Sequence, residues 1–367
     1  MDLPLNDIRV VAVEQAVAAP YCTSRLADAG ARVIKVERPE GDFAREYDDL
    51  AKGLSSYFVW LNRGKESVVL DLRDDECRKR LEQLLREADV FVQNLKPGAL
   101  DRLGFSIARL RREYPPLICC SISGYGDEGP LSDRKAYDLL VQAESGLSSV
   151  TGNAQGCARV GISIADLATG AVAHSAILEA LLGRTRSGAG TDIRVSMFDV
   201  MADWLTVPLL QAEAGRPPVR AGLAHPSIAP YGAFDTRDAD QLLISIQSDR
   251  EWAALCEQVL ERPELAEDER FRTNIDRVGH RAATDDAVSQ VFACLTSDEL
   301  QERLASAGIA YARVNDMSDL SGHPHLRRVQ VGTAAGTVSL PAPAPVFDGV
   351  PRRLGAVPDL ATDADHD

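Results

Sequence analysis

The chain has 367 residues, 45% of them hydrophobic and 26% charged, an ordinary globular composition that excludes collagen, a long coiled coil or wholesale disorder. Lys and Arg number 40 against 55 Asp and Glu, a formal charge of −15. So acidic a chain offers no broad field to nucleic acid or an anionic membrane, and an anionic ligand must be held by a local cluster of cations.

At roughly 150 residues per domain the length predicts two domains, or one large domain with an insert. MDLPLNDIRV lacks the basic start of a signal peptide, and the apolar run at residues 10–13 is too short for one. Residues 8–13 (IRVVAV) read as a strand and 20–29 as a helix ended by Gly30. Strands follow at 31–37 (ARVIKVE) and 67–72 (SVVLDL). Asp74 then caps a helix whose Cys77, Leu81, Leu84, Leu85 and Ala88 recur at helical spacing. Residues 90–95 and 117–123 (LICCSIS) are further strands. Continuous apolar strands separated by helices predict an α/β fold, a doubly wound, Rossmann-like parallel sheet covered on both faces. The apolar stretch 161–183 carries Asp166, His174 and Glu179 and reads as a buried helix rather than a membrane span.

Composition changes at GRPPVRAGLAHP (215–226), which reads as a linker. A hairpin (232–236 and 241–246) and helices at 250–260, 282–295 and 297–307 then predict a smaller α+β domain. Thr296 and Glu299 form a capping-box pattern before the last helix. The expected organisation is a large domain over 1–214, a small one over 215–320, and a Pro-rich segment, 321–367, returning to the large domain. Its acidic end, ATDADHD, is expected to fray.

Seven scattered cysteines include no C-x-x-C pair and no Cys/His metal spacing, so a reduced, cytoplasmic, metal-free protein is expected. There is no G-x-x-x-x-G-K-[ST], no G-x-G-x-x-G after the first strand and no G-x-S-x-G. With only six histidines, carboxylates are the expected reactive groups. Asp166, in GISIADLATG, opens the apolar helix, where free N–H groups and the helix dipole would keep it ionised. It is either a nucleophile or simply the N-cap.

Five collinear segments, AAPYCTSRLADAGARVIKVERPEGD, LNRGKESVVLDLR, NLKPGALDRLGF, ISGYGDEGP and GISIADLATG, closely resemble the class III CoA-transferases, which include formyl-CoA transferase and carnitine CoA-transferase. The similarity continues through APYGAFDT, SDREWAALC and RFRTNIDRVGHR to PRRLG. The resemblance implies an interlocked homodimer and CoA transfer between an acyl-CoA and a small carboxylic acid. Asp166 would be the nucleophile, passing through aspartyl anhydride and aspartyl-CoA thioester intermediates. No metal or permanently bound cofactor is implied; acyl-CoA is the substrate.

Carried over by position, Arg38, Leu70, Arg73, Asn94, Leu95, Arg102 and Lys135 would contact CoA, with Leu95 replacing an aromatic residue. Val17 stands where formyl-CoA transferase has a glutamine, which argues against formyl-CoA/oxalate exchange. That enzyme's glycine run corresponds to LAHPSIAPYG, where Gly232 is the glycine that remains. His225 either faces the substrate or shapes a turn. The segment AGLAHPSIAPYGAFDT is most similar to members acting on dicarboxylates such as succinate, citramalate, itaconate or mesaconate. Arg216 and Arg220 could hold a distal carboxylate, but read better as linker charges. The related α-methylacyl-CoA racemase has a His-Asp pair where this chain has Tyr137 and Asp138, so its imidazole base is missing. A non-catalytic CoA-binding protein is the remaining alternative.

Overall fold

Six parallel strands form the central sheet of this computed structural model, which describes residues 3–360; the acidic end expected to fray lies outside the described residues. They are β1 (Arg9–Val13), β2 (Arg32–Glu37), β3 (Lys65–Val69), β4 (Val90–Gln93), β5 (Ile118–Ser123) and β6 (Asp192–Ser196). Their spatial order is β3-β2-β1-β4-β5-β6. β1 is the central rail, pairing Val10 with Val33 on one side and with Val90 on the other. Its alternate side chains feed both faces. Val10 and Ala12 enter the core cluster that includes Cys22, Leu26, Ala168 and Ile177, whereas Val11 and Val13 join Leu81, Leu85 and Phe91. Burial on both faces is what an apolar, non-alternating strand requires.

The helices of this unit include α1 (Ala18–Asp28), α2 (Ser56–Asn62), α3 (Asp75–Arg86), α4 (Asp138–Glu144), α5 (Ile164–Ser187) and α6 (Met197–Trp204). α1 begins two residues before the predicted start, because Pro20 sits in its first turn, where no N–H is needed. α3 is capped as expected by Asp74, whose carboxylate accepts from Glu76 and Cys77. α5 runs 24 residues and ends at Gly188, in a left-handed conformation (φ 68°). Its length and hydropathy would let it cross a membrane; here Ala165, Ala168, Ala173, Ile177 and Leu181 are buried in the core.

The chain divides into two compact units. One comprises the chain up to Leu147, Arg159–Val207 and the chain from Arg327 onward; the other comprises Ser148–Ala158 and Pro208–Leu326. The second unit thus starts ahead of the expected linker and includes a short segment from near residue 150. Its sheet pairs Tyr231–Asp235 with Gln241–Ser245, and a third strand, Ala310–Arg313, with the latter. Thr296 and Glu299 form the expected capping box. In the first unit the C-terminal segment adds an antiparallel pair, Arg328–Thr333 with Gly336–Pro341. Val331 and Val357 of this segment pack on Phe58 and Val59 of α2.

α1 and α5 pack closely because Gly170 has no side chain: a Cβ there would lie 2.4 Å from the Ala18 carbonyl oxygen. Gly170→Ala is therefore expected to force the helices apart and to destabilise the protein by about 1–3 kcal/mol. Urea denaturation checks this; an unchanged midpoint would contradict it.

Candidate active site

The strand order reverses between β1 and β4. At such a switch point the loops leaving adjacent strands diverge and open a crevice at the carboxyl ends of the sheet, where doubly wound folds bind ligands. Here Gln15–Val17 follow β1 and Asn94–Pro97 follow β4, and both line a cavity of about 620 Å3. The Asn94 side chain clasps the two loops together. Its Oδ1 accepts the Gln15 N–H at 2.9 Å, and its Nδ2 donates to the Gln15 carbonyl at 2.8 Å. Ala16 has a φ of 64°, costly for a residue with a Cβ. Its N–H is held by Asp42 at 3.1 Å.

Asp42 belongs to a buried charge network beneath this loop. Lys35 pairs with Asp42 at 2.8 Å, and Lys65 with Glu14 at 2.6 Å; all four side chains are fully buried. Thr23 donates to the second Glu14 oxygen at 2.7 Å. Glu37, hydrogen-bonded to Ser67 and doubly to Arg45, also accepts the Asp42 N–H at 2.8 Å. Each buried charge thus has an opposite partner, the condition on which such groups are tolerated.

Asp166 lines the same cavity from the first turn of α5. It does not cap its helix. Asp138 does so from α4, accepting the N–H groups of Ala165 (2.8 Å) and Asp166 (3.3 Å). The other Asp138 oxygen accepts from Gln142 Nε2 at 2.6 Å. Among the described residues the Asp166 carboxylate has no hydrogen-bond or ion-pair partner. Burial, and secondarily the neighbouring Asp138, push it up to about 7. The expectation that the helix terminus keeps it ionised is therefore wrong: the N–H groups that would stabilise the anion are already taken by another carboxylate. Tyr47, on the cavity wall, is pushed up to about 12 by burial and by the charges of Asp42 and Asp166, so its hydroxyl stays a proton donor.

Of the residues singled out in the sequence, the cavity brings together Val17, Asn94, Leu95, Lys135, Tyr137 and Asp166. Arg38, Leu70, Arg73 and Arg102 are not on its wall, although Arg38, Leu70 and Arg73 follow β2 and β3 at the same carboxyl edge of the sheet. Arg73 is already paired with Asp71 at 2.7 Å, and that hydrogen-bonded contact holds the Asp71 carboxyl down at about 2. Leu70 is buried, its N–H donated to the Glu37 carbonyl at 2.8 Å. His225 and Gly232 belong to the second unit. There His225 stacks on Tyr231 at 5.3 Å and accepts the Ser227 N–H at 3.1 Å, the bonding of a turn histidine. Arg220 likewise serves structure, donating to the Asn153 and Ser149 carbonyls. Sequence reasoning missed Phe43, Tyr47 and Tyr57 on the wall, and the cations Lys96 and Arg159. Charged residues in loops carry no sequence signal that separates a cavity wall from an open surface.

A half-buried carboxylate and several cations gathered over the switch point of a parallel sheet make a site for an anionic, reactive ligand: the fold and the cavity are those of an enzyme. The chain belongs to CoA-transferase family III, which matches residues 5–360. It is 36% identical to acetyl-CoA:oxalate CoA-transferase of Acetobacter aceti over 92% of this chain and 87% of that one. Succinate–glutarate CoA-transferase of Agrobacterium fabrum is 35% identical over 91% and 87%. A crystal structure of a CAIB/BAIF family protein from Brucella suis superposes with a TM-score of 0.84 at 33% identity, covering 97% of this chain and 96% of that one.

The raised Asp166 value has a consequence for stability. A carboxyl titrating near 4 in the unfolded chain and near 7 in the fold binds more protons when folded between those pH values. Stability therefore falls as pH rises through this window. Asp166→Asn lacks the burden and is expected to melt a few degrees above wild type near pH 8, the gap narrowing towards pH 5. Scanning calorimetry across pH checks this; a gap independent of pH would contradict it.

Proposed function

We propose that this enzyme transfers CoA between an acyl-CoA and a dicarboxylic acid through covalent intermediates on Asp166. The observation that carries the reading is a carboxylate that lines the cavity and, among the described residues, has no hydrogen-bond or ion-pair partner, while a second carboxylate performs its capping task. Poorly solvated and titrating near 7, the anion is more nucleophilic than one stabilised by hydrogen bonds.

In the first step an Asp166 oxygen attacks the donor thioester carbonyl, the C–S bond breaks, and an acyl-aspartyl anhydride and CoA thiolate result. The thiolate then attacks the Asp166 carbonyl, releasing the donor acid and leaving an aspartyl-CoA thioester. An acceptor carboxylate attacks that thioester and regenerates an anhydride and the thiolate. Attack of the thiolate on the acceptor carbonyl yields the new acyl-CoA and frees Asp166. Protons and electrons balance without a metal or a redox partner.

Lys135, Asn94 and Leu95 on the cavity wall, with Arg38, Leu70 and Arg73 beyond the ends of β2 and β3 and Arg102 in the helix Ala99–Arg102, are assigned to CoA on the family resemblance. Arg73 would exchange Asp71 for phosphate. Val17 and Tyr137 would border the reacting acyl group. The relatives act, by their names, on oxalate, succinate and glutarate, which favours dicarboxylates. A homodimer belongs to the same reading: the apolar Leu182 and Trp204 are 64% and 55% exposed, and a second copy would cover them. A racemase-type proton shuttle finds no free base at Asp138, whose carboxylate accepts three hydrogen bonds.

Asp166→Asn and Asp166→Ala are expected to lose CoA transfer by at least about a thousandfold while still binding CoA. In wild type, kcat/KM for the donor should rise with pH through a single ionisation near 7. Transfer surviving in Asp166→Ala, or a profile flat from about pH 5 to 8, would overturn the reading.

A further inference from the structure

We propose that Arg159 binds the distal carboxylate of a dicarboxylate whose other carboxyl reacts at Asp166, and that it thereby makes the enzyme prefer dicarboxylates to monocarboxylates. The inference rests on the CoA-transfer reading above and names the group that selects the acid.

Arg159 lines the cavity that holds Asp166. Among the described residues it has no carboxylate partner; its Nε donates to the Val160 carbonyl at 3.1 Å, leaving both terminal nitrogens uncommitted. The neighbouring Arg134 is paired with Glu144 at 3.1 Å. Lys96 and Lys135 also line the cavity, and among the described residues neither has a carboxylate partner. Lys96 continues the run Asn94–Leu95, and Lys135 is itself assigned to CoA, so both fall on the CoA side of the proposed reading. That leaves a guanidinium, whose planar fork matches a carboxylate in two parallel hydrogen bonds.

Arg159 is also tied mechanically to the reacting group. The next residue, Val160, donates its N–H to Gln142 Oε1 at 2.9 Å, and Gln142 Nε2 donates to the Asp138 carboxylate at 2.6 Å. Asp138 in turn accepts the Asp166 N–H at 3.3 Å. Gln142 is fully buried. One amide therefore sets the segment that carries Arg159 against the cap of the helix that carries Asp166. Charge balance points the same way. Asp138 and Asp166 already place two carboxyl groups at this end of the cavity, so a dicarboxylate entering there needs a cation for the end that does not react.

The test compares Arg159→Gln, Arg159→Lys and wild type with succinate against butyrate, and glutarate against pentanoate, at saturating acyl-CoA donor. Titration calorimetry measures CoA affinity in parallel. Arg159→Gln should lose about 10- to 100-fold in kcat/KM for the dicarboxylates and less than about threefold for the monocarboxylates. Arg159→Lys should recover part of the loss, with CoA affinity unchanged throughout. Equal losses for both kinds of acid, weakened CoA binding, or a wild type that prefers the monocarboxylates overturns the proposal. A wild type that transfers CoA to no acid overturns the CoA-transfer reading itself, and that result is visible before any variant is made.

Discussion

Two backbone N–H groups at the start of α5 are claimed by Asp138, and the chemistry of the cavity follows from that. A helix of 24 residues leaves its first N–H groups without partners inside the helix. An acidic residue in the first turn often meets that need from within. With Asp138 in the role, Asp166 remains in the first turn with its carboxylate uncommitted among the described residues and an anion close by. Burial and this neighbour then act in one direction, towards a carboxyl group that holds its proton up to neutral pH. The same cap anchors Gln142, and through it the segment leading from Arg159 into the helix.

The opposite wall depends on charges hidden beneath it. The turn after β1 contains a strained Ala16, a conformation costing about 1–2 kcal/mol. Asp42 and Asn94 hold it from two sides. Asp42 can stay buried because Lys35 neutralises it, and Glu14 because Lys65 does. Removing one member of such a pair costs about 3–5 kcal/mol, since its partner is left uncompensated. The network therefore acts as a rigid footing that keeps the backbone of residues 15–17 facing the cavity.

Much of the sheet is legible in the sequence because its central strands are apolar without interruption, as in VVAV and ICCSI. β6 (DIRVS) escapes notice, having too few consecutive apolar residues. So does Ala310–Arg313, in which every residue is exposed and no alternation betrays a strand. β3 begins at Lys65, before the apolar run, because the Lys65 side chain turns inward to meet Glu14. The position of Asp166 is visible through motif resemblance, but its protonation is not, since that depends on burial in the folded cavity and, secondarily, on a carboxylate 28 residues earlier in the chain. Glu14, Lys35, Asp42 and Lys65 look like surface charges in sequence, because each acquires its partner only when β1, β2 and β3 align. Arg159 is hidden for a similar reason: an unpaired guanidinium is a property of the folded cavity.

If an oxygen of Asp166 enters the covalent pathway, heavy oxygen must pass through that carboxylate during transfer. In a single turnover with an acceptor acid carrying heavy oxygen in its carboxylate, the acceptor oxygen bridges the second anhydride and stays on Asp166 when the thiolate departs with the acyl group. Mass spectrometry of the peptide containing Asp166 should then show one heavy oxygen, and the next turnover should deliver it to about half of the released donor acid, since either carboxylate oxygen can attack. A peptide that remains unlabelled while new acyl-CoA accumulates would contradict the account.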